Sequence, residues 1–189
     1  MKFIFLFISF SLHAASYNID TGASKITWNA TKVLGGHVGT VNFKEGHLKV
    51  QDGKVMGGKF VVDMKTIIDL DLDPSGPWNQ RLVNHLKSED FFSVEKHPYA
   101  EFVIKKSKKI EGSTFNIKGD LIIKGIKKAL EFKGDIKIGE KNLKGKGSLV
   151  FDRTDYNIRF RSGKFFKGLG NKLIHDQVKL KIELVANRP

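Results

Sequence analysis

Residues 115–124 read Phe115-Asn116-Ile117-Lys118-Gly119-Asp120-Leu121-Ile122-Ile123-Lys124. Odd positions carry Phe, Ile, Gly, Leu and Ile. Even positions carry Asn, Lys, Asp, Ile and Lys. Successive side chains of a strand leave opposite faces of the sheet, so this period of two reads as a half-buried antiparallel strand. The pattern recurs downstream. Leu130, Phe132, Gly134, Ile136 and Ile138 alternate with Glu131, Lys133, Asp135 and Lys137. Leu143, Gly145, Gly147, Leu149 and Phe151 alternate with Lys144, Lys146, Ser148, Val150 and Asp152. Val178, Leu180, Ile182 and Leu184 alternate with Lys179, Lys181, Glu183 and Val185. Upstream, Ile26, Trp28 and Ala30 share a face, as do Phe60, Val62 and Met64, and Ala100, Phe102 and Ile104. Turn signals at Gly35-Gly36, Asp52-Gly53, Glu111-Gly112, Lys124-Gly125, Gly139-Glu140 and Ser162-Gly163 punctuate the runs. The chain reads as all-β, with about eight antiparallel strands.

One segment departs from this period. Asp73-Pro74-Ser75-Gly76-Pro77 can open a helix, since Pro is tolerated in a first turn. Trp78, Leu82 and Leu86 follow at i, i+4 and i+8, one helical stripe. The spacing predicts a single short helix between the third and fourth strands. Its stripe reads as a lid over the core. Phe91 and Phe92 follow, after Ser88-Glu89-Asp90.

Eight such strands can stack as a sandwich or close into a barrel, and closure removes exposed edges. The inward face carries Gly119, Gly134, Gly145 and Gly147 among its large residues. Two readings stand. Glycines leave space in a barrel just wide enough for one small ligand, or they relieve bends in coiled strands. A cavity would be lined by Ile26, Trp28, Phe60, Val62, Met64, Phe102, Ile104, Phe115, Ile117, Leu121, Ile123, Leu130, Phe132, Leu149, Phe151, Leu180 and Ile182. Trp78, Leu82, Leu86, Phe91 and Phe92 would close it. Such a lining suits a long apolar chain, because each buried CH₂ contributes about 0.8 kcal/mol. A nine-residue strand is about 30 Å long, so a long chain would bend or protrude.

Residues 1–15, MKFIFLFISFSLHAA, have the outline of a secretory signal peptide. Lys2 supplies the positive start, residues 3–12 the apolar run, and Ala14 and Ala15 the small residues at the cut. The run is too short to span a bilayer, which needs about 20 apolar residues. The expected product is one exported domain over 16–189, periplasmic in a Gram-negative source. The 189 residues suit one domain. The chain has no Cys, which excludes disulfides, zinc ribbons, iron–sulfur clusters and a cysteine nucleophile.

Several blocks, in order, resemble the YceI-like, polyisoprenoid-binding family of exported proteins. They are Tyr17–Asp20 with Ser24–Trp28, Gly36–Val41, Gly57–Met64, His85–Phe92 ending in His97-Pro98, Gly119–Lys128, and Asp152–Ile158 with Phe165-Phe166 and Leu169–Lys172. The resemblance implies an eight-stranded, antiparallel, lipocalin-like β-barrel with a helix near one mouth. It implies an apolar interior for a polyisoprenoid, quinone precursor or fatty-acid derivative. It implies no catalytic residues, no cofactor beyond that lipid, and a homodimer. Val41 and Lys44 stand where many members carry Phe.

Head-group candidates follow from position and charge. His85 sits in the characteristic block beside the expected mouth. Arg153, Arg159 and Arg161 fall in a late basic segment with Lys164, Lys167 and Lys172, where an anionic head group could dock. The other reading of that segment is a solvated loop.

Other classes have less support. His37, His47, His85, His97 and His175 make no i, i+2 or i, i+4 pair, so no metal site is expected; His37 and His47 meeting across strands is the one route considered to one. Asp69, Asp71 and Asp73 lack the Gly and closing Glu of a calcium loop. No GxSxG or P-loop occurs. The net charge of +13 invites nucleic acid, but the strand Phe residues fall on the face away from the Lys residues. The alternative function is peripheral binding to anionic membrane surfaces through the basic outer face, without internal cargo.

Overall fold

The computed structural model describes residues 14–189. The signal-peptide reading lies outside these residues except for Ala14 and Ala15. Nine strands form one antiparallel sheet that closes on itself. They are β1 (Ala15–Ile19), β2 (Lys25–Lys32), β3 (Gly36–Gln51), β4 (Lys54–Asp69), β5 (Tyr99–Glu111), β6 (Thr114–Ile123), β7 (Ile126–Ile138), β8 (Asn142–Asp152) and β9 (Ile174–Asn187). Strands β1 and β2 are two lengths of one barrel strand. Strand β2 pairs with the start of β3, from Ile26/Val41 to Thr31/Gly36, and β1 with its end, from Ala15/Val50 to Asn18/His47. Both also bond to β9. The barrel thus has eight staves, as the alternation predicts.

Strands β3 and β4 hold 16 residues each. Sixteen residues extend about 50 Å, shortened by barrel tilt. Three irregularities interrupt their pairing, between Thr40 and Asn42, Phe43 and Glu45, and Lys49 and Val50. Each shifts the phase of inward and outward residues.

One end of the barrel is plugged. Tyr17, Leu48, Val50, Val55, Phe115, Leu143 and Ala186 are all buried there. The Tyr17 hydroxyl donates to Gly139 O at 2.8 Å, tying β1 to the β7–β8 turn. Phe115 belongs to this plug. At the other end, helix α1 (Pro77–Lys87) crosses the opening between β4 and β5. It begins at Gly76 with Pro77 in its first turn, and its last turn bonds to Ser88. Its buried residue is Asn79, whose Nδ2 donates to Asp69 O (3.4 Å) and Leu72 O (3.2 Å). These bonds turn the helix away from the expected stripe. Trp78 is 68% exposed and Leu82 is only half-buried; Leu86 faces the interior.

The wall is not uniform. Strands β7 and β8 share five rungs, from Gly134/Gly147 to Ile138/Leu143. Above Gly134, residues 126–133 of β7 bond only to β6, and residues 148–152 of β8 only to β9. No loop backbone among the described residues bonds to either free edge. Leu130 and Phe132 lie beside this open seam and are half-exposed.

Candidate lipid-binding interior

Inside the barrel lie two apolar chambers of about 110 Å³ each. The lower is walled by Phe43, Leu48, Phe60, Phe102, Ile104, Ile117, Phe132, Ile136, Leu149, Ile182 and Leu184. The upper is walled by Trp28, Val41, Met64, Ile67, Leu86, Phe91, Phe92, Ala100, Ile123, Phe151, Ile158, Ile174 and Val178. Ile26, Val62, Leu121 and Leu180 border both and form a waist. Water needs two to four polar partners to occupy a cavity, so space lined this way stays dry and accepts hydrocarbon.

The glycines divide into two kinds. A Cβ on Gly119 would lie 2.6 Å from the Phe102 ring and 2.5 Å from Val103 O. That glycine lets an aromatic ring lie flat against the strand. Gly134, Gly145 and Gly147 border the lower chamber instead. A Cβ on Gly147 would reach the Phe132 ring at 3.2 Å and one on Gly145 would touch Leu184 at 3.4 Å. A Cβ on Gly134 would meet Lys146 O at 3.2 Å and Ile117 at 3.3 Å, so all three sites are looser than Gly119, and Gly145 is the one at ordinary contact distance.

Most residues expected to line a cavity do so. Of the lid stripe only Leu86 reaches a chamber, while Phe91 and Phe92 both do. Four residues do not: Trp78 points to solvent, Leu82 lies on the flank of α1, Phe115 is in the lower plug and Leu130 is at the seam. Phe43 was missed. Its ring lies 6.1 Å from that of Phe60, and the irregularities in β3 hide its phase.

The upper end is built from aromatic and charged groups. The His85 ring stands edge-on to Phe91 (4.9 Å) and to Phe160 (4.6 Å). Its Nε2 lies 3.0 Å from Asp90 Oδ2. The Arg161 guanidinium covers the Phe160 ring at 5.0 Å, and that of Arg159 covers Phe165 at 4.5 Å. His85 and Arg161 therefore meet at one aromatic cluster, and Arg159 stands in the loop beside it.

Arg153 corrects the expectation of a free head-group donor. It is 3% exposed. Its Nε donates to His175 O (3.1 Å), Nη1 to Ile158 O (2.9 Å) and Nη2 to Ile174 O (3.0 Å). Asp176 Oδ1 lies 3.1 Å from Nη2 and balances its charge, without hydrogen-bond alignment. Burial pulls the guanidinium below its usual pKa, and Asp176 and Asp152 act in the opposite sense. Arg153 staples the turn after β8 to β9.

One polar group in the upper wall is unsatisfied. The Trp28 Nε1–H has no acceptor among the described residues. A buried donor left unpaired costs about 1–3 kcal/mol.

A closed antiparallel barrel with a divided apolar interior and a helical lid defines the lipocalin-like class of hollow barrels. Within that class this chain belongs to the YceI-like domain family, which matches it over residues 17–186. A UPF0312 protein of Pseudomonas putida is 27% identical over 149 residues, covering 76% of this chain and 71% of the relative. BcnA of Burkholderia cenocepacia superposes with a TM-score of 0.73 at 20% identity, covering 89% of this chain and 99% of BcnA. A polyisoprenoid-binding domain from Saccharophagus degradans, implicated in plant cell wall breakdown, gives 0.66 at 12% identity, covering 94% of this chain and all of that domain. The YceI protein of Campylobacter jejuni gives 0.56 at 22% identity, over 72% of this chain and 74% of that one. These likenesses carry the fold.

Proposed function

We propose that this protein is exported and holds a long-chain amphipathic lipid, a polyisoprenoid or fatty-acid derivative, with its tail threaded through both chambers. The observation that carries this is the apolar interior left unfilled by Gly134, Gly145 and Gly147. The kinship with a domain described as polyisoprenoid-binding supports it. An engineered apolar cavity of about 150 Å³ binds benzene, so each chamber of about 110 Å³ seats a short stretch of hydrocarbon, and a long tail has to spread the walls or protrude. Trp28 adds a requirement. Cargo with a carbonyl or hydroxyl oxygen in the upper chamber would satisfy its orphan N–H. The head group would then lie by His85, Arg159 and Arg161.

The route follows from the closed ends. The plug blocks one end and the helix with its aromatic cluster caps the other. The unpaired β7–β8 seam runs beside Phe132 and Gly147, which line the lower chamber, and is the weakest part of the wall. Cargo passes sideways through it.

The first experiment is detergent-free purification from the periplasm, followed by extraction and mass spectrometry. A stoichiometric isoprenoid or fatty-acid derivative is expected. Protein that is empty as purified and takes up no added long-chain lipid would reject the reading. A second reading, docking to anionic membranes, draws on the exposed Phe165 and Phe166 beside Arg159, Lys164 and Lys167. Sedimentation with anionic vesicles at rising salt measures it independently of internal cargo.

A further inference from the structure

The outer rim holds a polar cluster that plays no part in the interior. His37 is the second residue of β3, Asp69 the last of β4, and Asp71 lies in the segment leading to α1. The backbone occupies one oxygen of each carboxylate. Asp69 Oδ1 accepts from the amides of Asp71 (3.2 Å) and Leu72 (2.8 Å), and Asp71 Oδ1 accepts from that of Val38 (2.9 Å). Both Oδ2 atoms are thereby turned toward one ring nitrogen. His37 Nδ1 lies 3.1 Å from Asp71 Oδ2 and 3.5 Å from Asp69 Oδ2. All three atoms fall within 4.8 Å of one another.

Asp69 makes this more than a surface acidic cluster. Its side chain has no solvent exposure, and Oδ2 has no hydrogen-bond partner among the described residues. A buried carboxylate oxygen aimed at a second carboxylate is costly unless something positive lies between them. A cation at the centre would remove that conflict.

We propose that His37 Nδ1, Asp69 Oδ2 and Asp71 Oδ2 form a three-ligand seat for a divalent first-row transition-metal ion of the zinc type. The partly exposed side, between His37 and Asp71, is left for water. Donors about 2.0–2.1 Å from a tetrahedral ion stand about 3.3 Å apart, which the two measured separations bracket. One imidazole and two carboxylate oxygens match zinc and its neighbours. They do not match calcium, which takes six to eight oxygens. The ion would join the first residues of β3 to the last of β4 and the segment entering α1. It would fix the lid's base, since Asn79 of the helix already bonds to Asp69 O and Leu72 O. None of these three residues lines either chamber, so the proposal is independent of the cargo.

The test is calorimetric titration of zinc chloride into the metal-stripped full chain, with magnesium and calcium chloride as comparators. His37→Ala, Asp69→Asn and Asp73→Asn are titrated beside it, with circular dichroism confirming the fold of each. Expected is one equivalent of zinc, bound at least about tenfold more weakly by His37→Ala and Asp69→Asn and unchanged by Asp73→Asn. Cobalt substituted for zinc should give the visible bands of a tetrahedral site, lost in His37→Ala. Should Asp69→Asn fail to fold, His37→Ala and the cobalt spectrum still decide. Absent zinc binding, or equal affinity in wild type and His37→Ala, overturns the site and leaves the two carboxyls sharing a proton.

Discussion

Strand β8 is held unequally by its two neighbours. Toward β9 it keeps eleven consecutive rungs, from Asn142/Asn187 to Asp152/Gln177, and Arg153 extends the join by bonding to carbonyls of Ile174 and His175. Toward β7 it keeps five, and the five that would follow, from Lys133/Ser148 to Ala129/Asp152, are not formed. Both flanks of β8 have the same alternation, so side-chain pattern alone does not explain the difference. It lies where Gly134 faces Gly147: the last rung joins two residues without side chains, and Phe132 leans into the space over Gly147. A barrel can thus be closed in topology and still lack a run of ladder bonds in its wall.

The largest effect is expected from tying that gap. Glu131→Cys with Val150→Cys, bridged by a short bis-maleimide, spans the missing rung and should stop uptake of a fluorescent long-chain fatty acid. Glu131→Cys with Lys118→Cys, bridged identically, spans an existing β6–β7 rung and should leave uptake unchanged. The lack of native cysteine makes both reactions site-specific. Equal uptake by the two bridged proteins would place the route at the lid. No uptake by either protein before bridging would reject the cargo itself.

Next in size is Arg153→Ala. Removing one member of a buried pair costs about 3–5 kcal/mol, because Asp176 is left without its counter-charge. Urea denaturation should show this loss, and the seam's own substitutions should not. A cost below about 1 kcal/mol would mean that Arg153 does not hold the β8–β9 side together.

The glycines separate the two kinds of wall more finely. Gly147→Leu should weaken binding of a long tail by roughly ten- to hundredfold, as about two to three CH₂ groups of cargo are displaced at about 0.8 kcal/mol each. Its Cβ would stand 3.2 Å from the Phe132 ring, which lies at the seam and can yield, so stability should fall by less than for Gly119→Ala. Gly119→Ala should do the reverse, destabilising by about 1–3 kcal/mol with ligand affinity retained, because its Cβ meets the Phe102 ring and a carbonyl. Swapped outcomes would reverse the assignment of space and packing.

The smallest effect concerns the turn after β8. Burial opposes the charge on Asp152, but the Lys164 ammonium and Thr154 outweigh it and hold the carboxyl below its usual range. A depressed carboxyl pKa contributes stability above the unfolded value of about 3.9, and this is lost as pH falls through the folded value. Lys164→Met should therefore lower Tm slightly at pH 7 and not at all near pH 2. Lys164 is mostly exposed, so the shift is small and should shrink with salt. A difference that persists in acid would show that Lys164 acts by packing instead.

Strands β6 to β9 were legible because no irregularity breaks the rungs β6–β7, β7–β8 and β8–β9 do form, so sequence phase and structural phase agree. Strands β3 and β4 were not, because each bulge inverts inside and outside, and Phe43 vanished with the phase. The helix was placed correctly, but its face was misjudged: an Asn side chain bonded to two carbonyls is no hydrophobic signal, yet it sets the rotation. Arg153 read as one of several basic loop residues because its partner Asp176 and carbonyls Ile174 and His175 become neighbours only on folding. The seam is a set of absent backbone bonds, for which side-chain alternation has no symbol. His37 and Asp69 come together only through the β3–β4 pairing, so spacing along the chain could not show their meeting.

The open seam has one further consequence. A free strand edge is the surface along which sheets of separate molecules fuse, and this molecule presents two of them side by side. The β7 edge carries exposed Lys127, Lys128, Glu131 and Lys133. A second copy laid along it would bring lysines against lysines. Like charge along that edge opposes such fusion, so part of the surplus of +13 has an effect that requires no anionic partner.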